Sequence, residues 1–178
     1  MEVCMAALVT NEAIKDFASI FPENDAIVSE CEAAAEDIVV EFLGYHPAKK
    51  EYSHDVVGLG DGELYLQGFP VLGSITVDGS VYEAGQYNIT QNVATIRDTT
   101  FQFKSRIPVS YQAGFETVPA SILHVVVQIA ALLLTERGKV GISGYSDQNT
   151  GSRTFISYSN FDRYLKNIKK YKLFKALV

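Results

Sequence analysis

The hydrophobic pattern changes period at one place above all others. A strand-like run, Val109 Ser110 Tyr111 Gln112 Ala113 Gly114 Phe115, gives way through Val118 and Pro119 to a long apolar helix. Pro119 suits the first helical turn, where its missing N–H would have had no intrahelical partner, and Gly138 sits just past the last periodic residue. Between them Ile122, Val125, Val126, Ile129, Leu132, Leu133 and Leu134 give more than one helical stripe, and Ala130 and Ala131 allow close approach. The pattern predicts a central helix, with the rest of the chain built to cover it. A membrane span needs about 20 apolar residues, and Leu123 to Leu134 is shorter and contains His124 and Gln128, so the helix reads as core.

Upstream, Thr10 is placed to cap a short helix whose Ala13, Ile14, Phe17 and Ile20 share one face, ended by Phe21 and Pro22. A second helix begins near Asn24 or Asp25. Its stripe is Ile27, Val28, Cys31, Ala34, Ala35, Ile38, Val39 and Phe42, and Gly44 stands where a C′ glycine belongs. From Pro47 to Phe115 the period becomes strand-like. Asp78 Gly79 between Ile75 Thr76 Val77 and Val81 Tyr82 marks a hairpin, because a type I′ turn needs positive φ at both central residues. Leu64 to Gln67, Tyr87 to Thr90, Val93 to Ile96 and Phe101 to Tyr111 are further candidate strands.

The pattern after Gly138 is weaker. Gly141 to Asn160 is rich in Gly, Ser, Asn and Thr and reads as a mobile loop or an arm ordered by a neighbour. Phe161 to Lys172 then carries Leu165, Ile168 and Tyr171 at helical spacing among lysines. The predicted fold class is therefore α+β: a helical bundle around one long central apolar helix, with a small antiparallel β-sheet inserted at about 47–115. One domain spans 1–140, and a flexible arm over 141–178 ends in a basic helix.

Composition supports one well-filled core, with 178 residues, 47% of them hydrophobic and 11% aromatic. The chain starts with an acid, Glu2, where a secretory n-region would be basic, which leads us to expect a protein that stays in the cytoplasm where it is made. Cys4 and Cys31 have no metal or redox spacing, and Cys31 reads as a buried reduced thiol. Net charge is −6, unevenly distributed: residues 161–178 carry +5 and the rest −11. An acidic body repels nucleic acid, whereas the basic end suits an acidic partner.

Catalytic and metal chemistry find no constellation. His46, His54 and His124 are scattered, with no pair three or four apart to set two ligands on one helical face. His124 is expected to be a satisfied core residue. Ser53 His54 Asp55 holds triad residue types, but adjacency is not triad geometry. Gly58, Gly60 and Gly62 precede a strand, not a helix, and read as a loop or turn. Asp147, Asn149 and Gly151 imitate the opening of a calcium loop, yet Ser152 and Tyr158 stand where Gly and Glu are needed. We expect no enzyme activity, no cofactor and no metal. A nucleic-acid-binding module using the lysine-rich helix is an alternative, as is a hydrolase using His54 or His124.

Over roughly residues 10–138 the chain resembles the head-to-tail connector (adaptor) proteins of tailed bacteriophages and prophages. The residues carrying the likeness are Val109, Tyr111, Ala113, Gly114 and Phe115, Val118 Pro119, the apolar helix, and Glu136 Arg137 at its end. Phe42 Leu43 Gly44, Phe69 Pro70 Val71 and Ser74 to Gly79 support it. The resemblance implies a non-enzymatic homo-oligomeric ring, usually twelvefold, made in the bacterial host cytoplasm and carried in the virion. Such a ring docks on the portal protein after packaging, meets a stopper or tail-completion protein, and passes double-stranded DNA without specific binding. No membrane is involved. A tail-completion or stopper protein is the nearest alternative. In that family the C-terminal segment commonly reaches the portal, a role that here falls on Tyr158, Arg163, Tyr164, Lys166, Lys169, Lys170, Lys172 and Phe174. The family's arginine-terminated leucine motif is replaced by this lysine-rich helix. Deleting 158–178 is expected to leave a folded protein unable to join DNA-filled heads.

Overall fold

The structure, a computed structural model, describes residues 7–18, 25–90, 92–102, 104–136, 144–147, 151–154 and 161–173. Two compact units emerge: residues 1–42 with 120–170, and residues 43–119 with 171–178. The first contains helices and the second a sheet.

In the helical unit, α1 (Asn11–Ala18) starts as its cap predicts, with the Ala13 N–H donating to Thr10 Oγ1 at 3.3 Å. The expected end at Ile20 to Pro22 lies outside the described residues. α2 (Asp25–Leu43) runs the predicted length, and Gly44 follows it at φ +83°, the left-handed conformation that ends helices. It buries Val28, Cys31, Ala35 and Val39, whereas Ala34 of the expected stripe is exposed. α3 (Ala120–Glu136) begins immediately after Pro119 and buries Ile122, Val125, Val126 and Ile129. Its capping glycine Gly138 lies outside the described residues, and none of the described helices is long and apolar enough to cross a membrane.

The sheet unit overturns the expected fold class. Seven strands, β1 (Lys50–Gly60), β2 (Glu63–Tyr65), β3 (Val71–Val77), β4 (Ser80–Tyr82), β5 (Tyr87–Thr90), β6 (Val93–Ile96) and β7 (Arg106–Ala113), pair in the order β4-β3-β7-β1-β2-β6-β5. Every one of these pairings is antiparallel. The sheet curls into a nearly closed barrel. Tyr87, on the β5 edge, donates its hydroxyl to the Gly73 carbonyl of β3, one strand in from the opposite edge. Gly73 is at φ +71° inside a bulge between Leu72 and Ile75, which bends β3 toward that contact.

The barrel fills itself. Leu64, Ile75, Ala94, Ile96, Val109 and Ala113 are at most 2% exposed, and every buried member of this cluster comes from the 56–113 region. A bundle organised around the apolar helix, with a small sheet added, is therefore not what the chain builds. The strands bury from none (β4 and β5) to four (β7) residues each, and only their long-range pairing sums these into the larger framework.

Particular strands show why. β7 alternates as predicted, with Ile107, Val109, Tyr111 and Ala113 inward, though it begins at Arg106 and not at Phe101. The turn between β3 and β4 has Asp78 at φ +48° and Gly79 at φ +78°, as the type I′ reading requires. β1, the longest strand, has no counterpart in the sequence expectation. Gly60, Asp61 and Gly62, all at positive φ, make the turn from β1 into β2, so the glycine-rich stretch is part strand and part turn.

Two further segments lie beyond α3. β8 (Gly144–Asp147) and β9 (Gly151–Thr154) pair as a hairpin where an irregular loop or arm was expected, and Asp147 faces Gly151 across it. α4 (Phe161–Leu165) continues into a 3₁₀ helix, Lys166–Tyr171, where the sequence suggests a single amphipathic helix.

Candidate partner-binding surface

The C-terminal helix combines a buried ridge with a charged one. A strict spacing of three, Leu165, Ile168 and Tyr171, matches 3₁₀ geometry, in which residues i and i+3 eclipse. Phe161, Leu165 and Ile168 are buried, Ile168 completely. The same geometry stacks Lys166 above Lys169 on a second ridge. Arg163, Lys166, Lys169 and Lys170 are exposed and Tyr164 is half-buried, while Lys172 is exposed just beyond the helix. Tyr158 and Phe174 lie outside the described residues. The charges thus sit on a helix anchored through its apolar side, and deleting 158–178 would remove buried core as well as the charges.

α2 presents the opposite character. Glu30, Asp37 and Glu41 are exposed along one stripe with Ala26 and Ala33, at helical spacings of four, seven, eleven and fifteen from Ala26. Its other polar edge holds the segment leading into α1. The Leu8 N–H donates to Glu36, the Val9 N–H to Glu32, and Asn11 Nδ2 donates to Ser29 Oγ at 3.0 Å, while Lys15 pairs with Asp25. Glu32 is 7% exposed, and its carboxyl is pushed above the usual carboxylate range by burial and then by the charge of Glu36. This polar edge was missed in the sequence because the same helix was read for its apolar stripe.

The histidines separate. His124 is exposed, with its ring edge-on to half-exposed Phe17 at 5.8 Å, which corrects its expected place in the core. Ser53, His54 and Asp55 lie along β1, where successive side chains alternate faces, so His54 points away from the other two and no triad forms. His54 packs beside Tyr52 and Tyr111, whose rings stack at 5.3 Å, and its Nε2 is buried without a hydrogen-bond partner. Burial holds the imidazole below its usual value. Tyr111 is fixed from the other end, its hydroxyl accepting from the N–H groups of Gln67 at 2.8 Å and Gly68 at 3.1 Å.

Ser53, His54, Asp55, Thr76, Gly79, Pro108, Val109 and Ser110 line an open depression of about 320 Å³ on the sheet. His54 alternates with Ser53 and Asp55 along β1, so the two side chains that flank it do not share its face. Among the described residues no cluster of three or more His, Cys, Asp or Glu side chains could hold a metal ion. Cys31 is a buried free thiol, and Cys4 lies outside the described residues.

No protein-family model matches the chain, and no curated protein does. Solved structures do. A chain from the neck of an empty gene transfer agent particle, computed with C6 symmetry, is similar over 97% of this chain and 95% of its own, with TM-score 0.61 and 13% identity. A chain of the native gene transfer agent virion matches over 99% and 96%, with TM-score 0.60 and 13% identity. The protein shares its fold with neck chains of phage-like particles.

Proposed function

We propose that this chain is a structural neck component of a tailed-phage-like virion: a head-to-tail adaptor subunit that forms a ring, docks on the portal protein after DNA packaging, and joins the head to the stopper and tail. The observation that carries the reading is correspondence of nearly the whole chain to nearly the whole of a neck chain, 97% against 95%. A partial match would have supported only a shared module.

The sequence resemblance supports the same reading, and several of its letters now have physical roles. Tyr111 pins the Gln67–Gly68 backbone, while Gly114 at φ +108° lets β7 leave the sheet against Ala48. The C-terminal end, Lys172 and Phe174 included, is the part we assign to the portal.

Electron microscopy of purified protein mixed with isolated portal rings tests the reading. Portals carrying an added ring of density are expected. Undecorated portals would overturn the adaptor role and leave a stopper or tail-completion protein as the better description.

A further inference from the structure

The two charged faces of the helical unit suit each other, and both belong to the same chain. On the C-terminal helix, Lys166 and Lys169 occupy one ridge of a 3₁₀ helix, about 6 Å apart along its axis at the ~2.0 Å rise of that geometry. On α2, Asp37 and Glu41 lie one turn apart, about 6 Å along the axis at an α-helical rise of ~1.5 Å. The spacings agree, so a lysine ladder can lie along a carboxylate ladder without bending either. Ala33 and Ala34, exposed one turn before Asp37, leave room for the approach, and Arg163 extends the basic face by a further turn.

Each face is electrostatically unfavourable alone. Like charges at i, i+4 on α2 repel, and eclipsed lysines at i, i+3 repel more directly. Lys15 pairs with Asp25 and Lys49 with Glu116, and neither of these pairs draws on Lys166, Lys169, Asp37 or Glu41. The apolar side of the basic helix is buried, so its charges are held in place and not carried on a free tail.

We infer that the Lys166–Lys169 face of one copy seats on the Asp37–Glu41 ridge of α2 in the next copy. Because the two surfaces differ, the contact is head-to-tail, the kind that closes into a ring when the rotation permits. The inference deepens the ring part of the proposed function by naming the contact between neighbours, and it leaves the residues from Lys172 onward for the portal.

Sedimentation velocity of the full chain at high micromolar concentration tests it. The wild type should associate at low ionic strength and disperse as salt rises past the point where charges are screened. The pairs K166E/K169E and D37K/E41K should each sediment as monomers, with circular dichroism unchanged because all four positions are exposed. Their equimolar mixture should associate again, each variant supplying the face that the other has lost. A wild type that stays monomeric at low salt, or a mixture that stays monomeric, overturns the inference. If self-association holds while portals remain undecorated, the adaptor role falls and this contact stands; portal decoration without self-association gives the reverse.

Discussion

The helical unit and the sheet unit use their residues differently. In the barrel, specificity is inward: a closed apolar cluster, a tyrosine hydroxyl holding two backbone N–H groups, and glycines where no Cβ fits. In the helical unit the buried faces are ordinary, and the particular features lie at polar edges, with acids along α2 and bases along the C-terminal helix. The sheet is therefore intolerant of small changes inside, whereas charge changes on the exposed edges of the helices leave the fold in place and alter what the unit presents. One unit is specified by its packing, the other by what it presents.

The sharpest break of that contrast is expected at Gly114. A Cβ there would lie 2.3 Å from the Ala48 carbonyl oxygen and 2.8 Å from the Lys49 nitrogen, and the backbone is at φ +108°. Both neighbours are backbone, so neither can rotate away. Gly114→Ala should cost about 4 kcal/mol or more in urea denaturation, the range reserved for such clashes. Hydrogen-exchange mass spectrometry should show protection lost across 50–113 first. Equal loss in α2 and α3 would mean that the two units do not differ in this way.

Tyr111→Phe is the next largest. The ring remains to stack on Tyr52, but the N–H groups of Gln67 and buried Gly68 lose their acceptor. Leaving the buried Gly68 donor unpaired costs roughly 1–3 kcal/mol. Gly68 gives the segment no freedom to retreat, since even a Cβ there would sit 2.5 Å from the Tyr52 ring. By contrast, Lys166→Glu on the helical unit should change stability by less than about 0.5 kcal/mol, as exposed substitutions do. If Tyr111→Phe is equally silent in denaturation, the hydroxyl is not what holds the Leu66–Pro70 stretch.

These sites also mark what the sequence made legible. α2 and α3 carry their boundaries in Gly44 and Pro119, and the β3–β4 turn carries its own in Asp78 Gly79, because each is a local conformational demand. β1 was hidden: Tyr52, His54 and Val56 do alternate with Glu51, Ser53 and Asp55, but weak strand formers and glycines mask the period. Its partner β7 lies about fifty residues away, and pairing at that distance is a property of the barrel and not of either segment. The apolarity of α3 was legible and over-read, since hydrophobic density in one helix says nothing of a core assembled from seven strands. The basic face was visible as a charge run. The acidic ridge that could receive it was not, because Glu30, Asp37 and Glu41 are spread through a helix read for its apolar side.

The smallest expected difference between the units is in their response to pH, and there the signs are opposite. Glu32 is held above its ordinary value of 4.5 by burial and then by the charge of Glu36, with the Val9 N–H acting the other way. The folded helical unit therefore binds this proton more tightly than the unfolded chain does. Its contribution is fully present below about pH 4.5 and is lost as pH rises through the raised value. His54 is held below 6.5 by burial, with Asp55 opposing. The folded barrel binds that proton less tightly, so its contribution is present above about pH 6.5 and is lost as pH falls. Acidifying from neutrality should loosen the sheet and tighten the segment that α2 holds through Glu32. Hydrogen exchange at several pH values, corrected for intrinsic rates, should show protection falling in β1 and β7 while it rises near residues 8–10 and along α2. Glu32→Gln should flatten the second trend and leave the first, and His54→Asn should do the reverse. Parallel trends in both units, or slopes that survive both substitutions, would show that these two groups do not set the pH response.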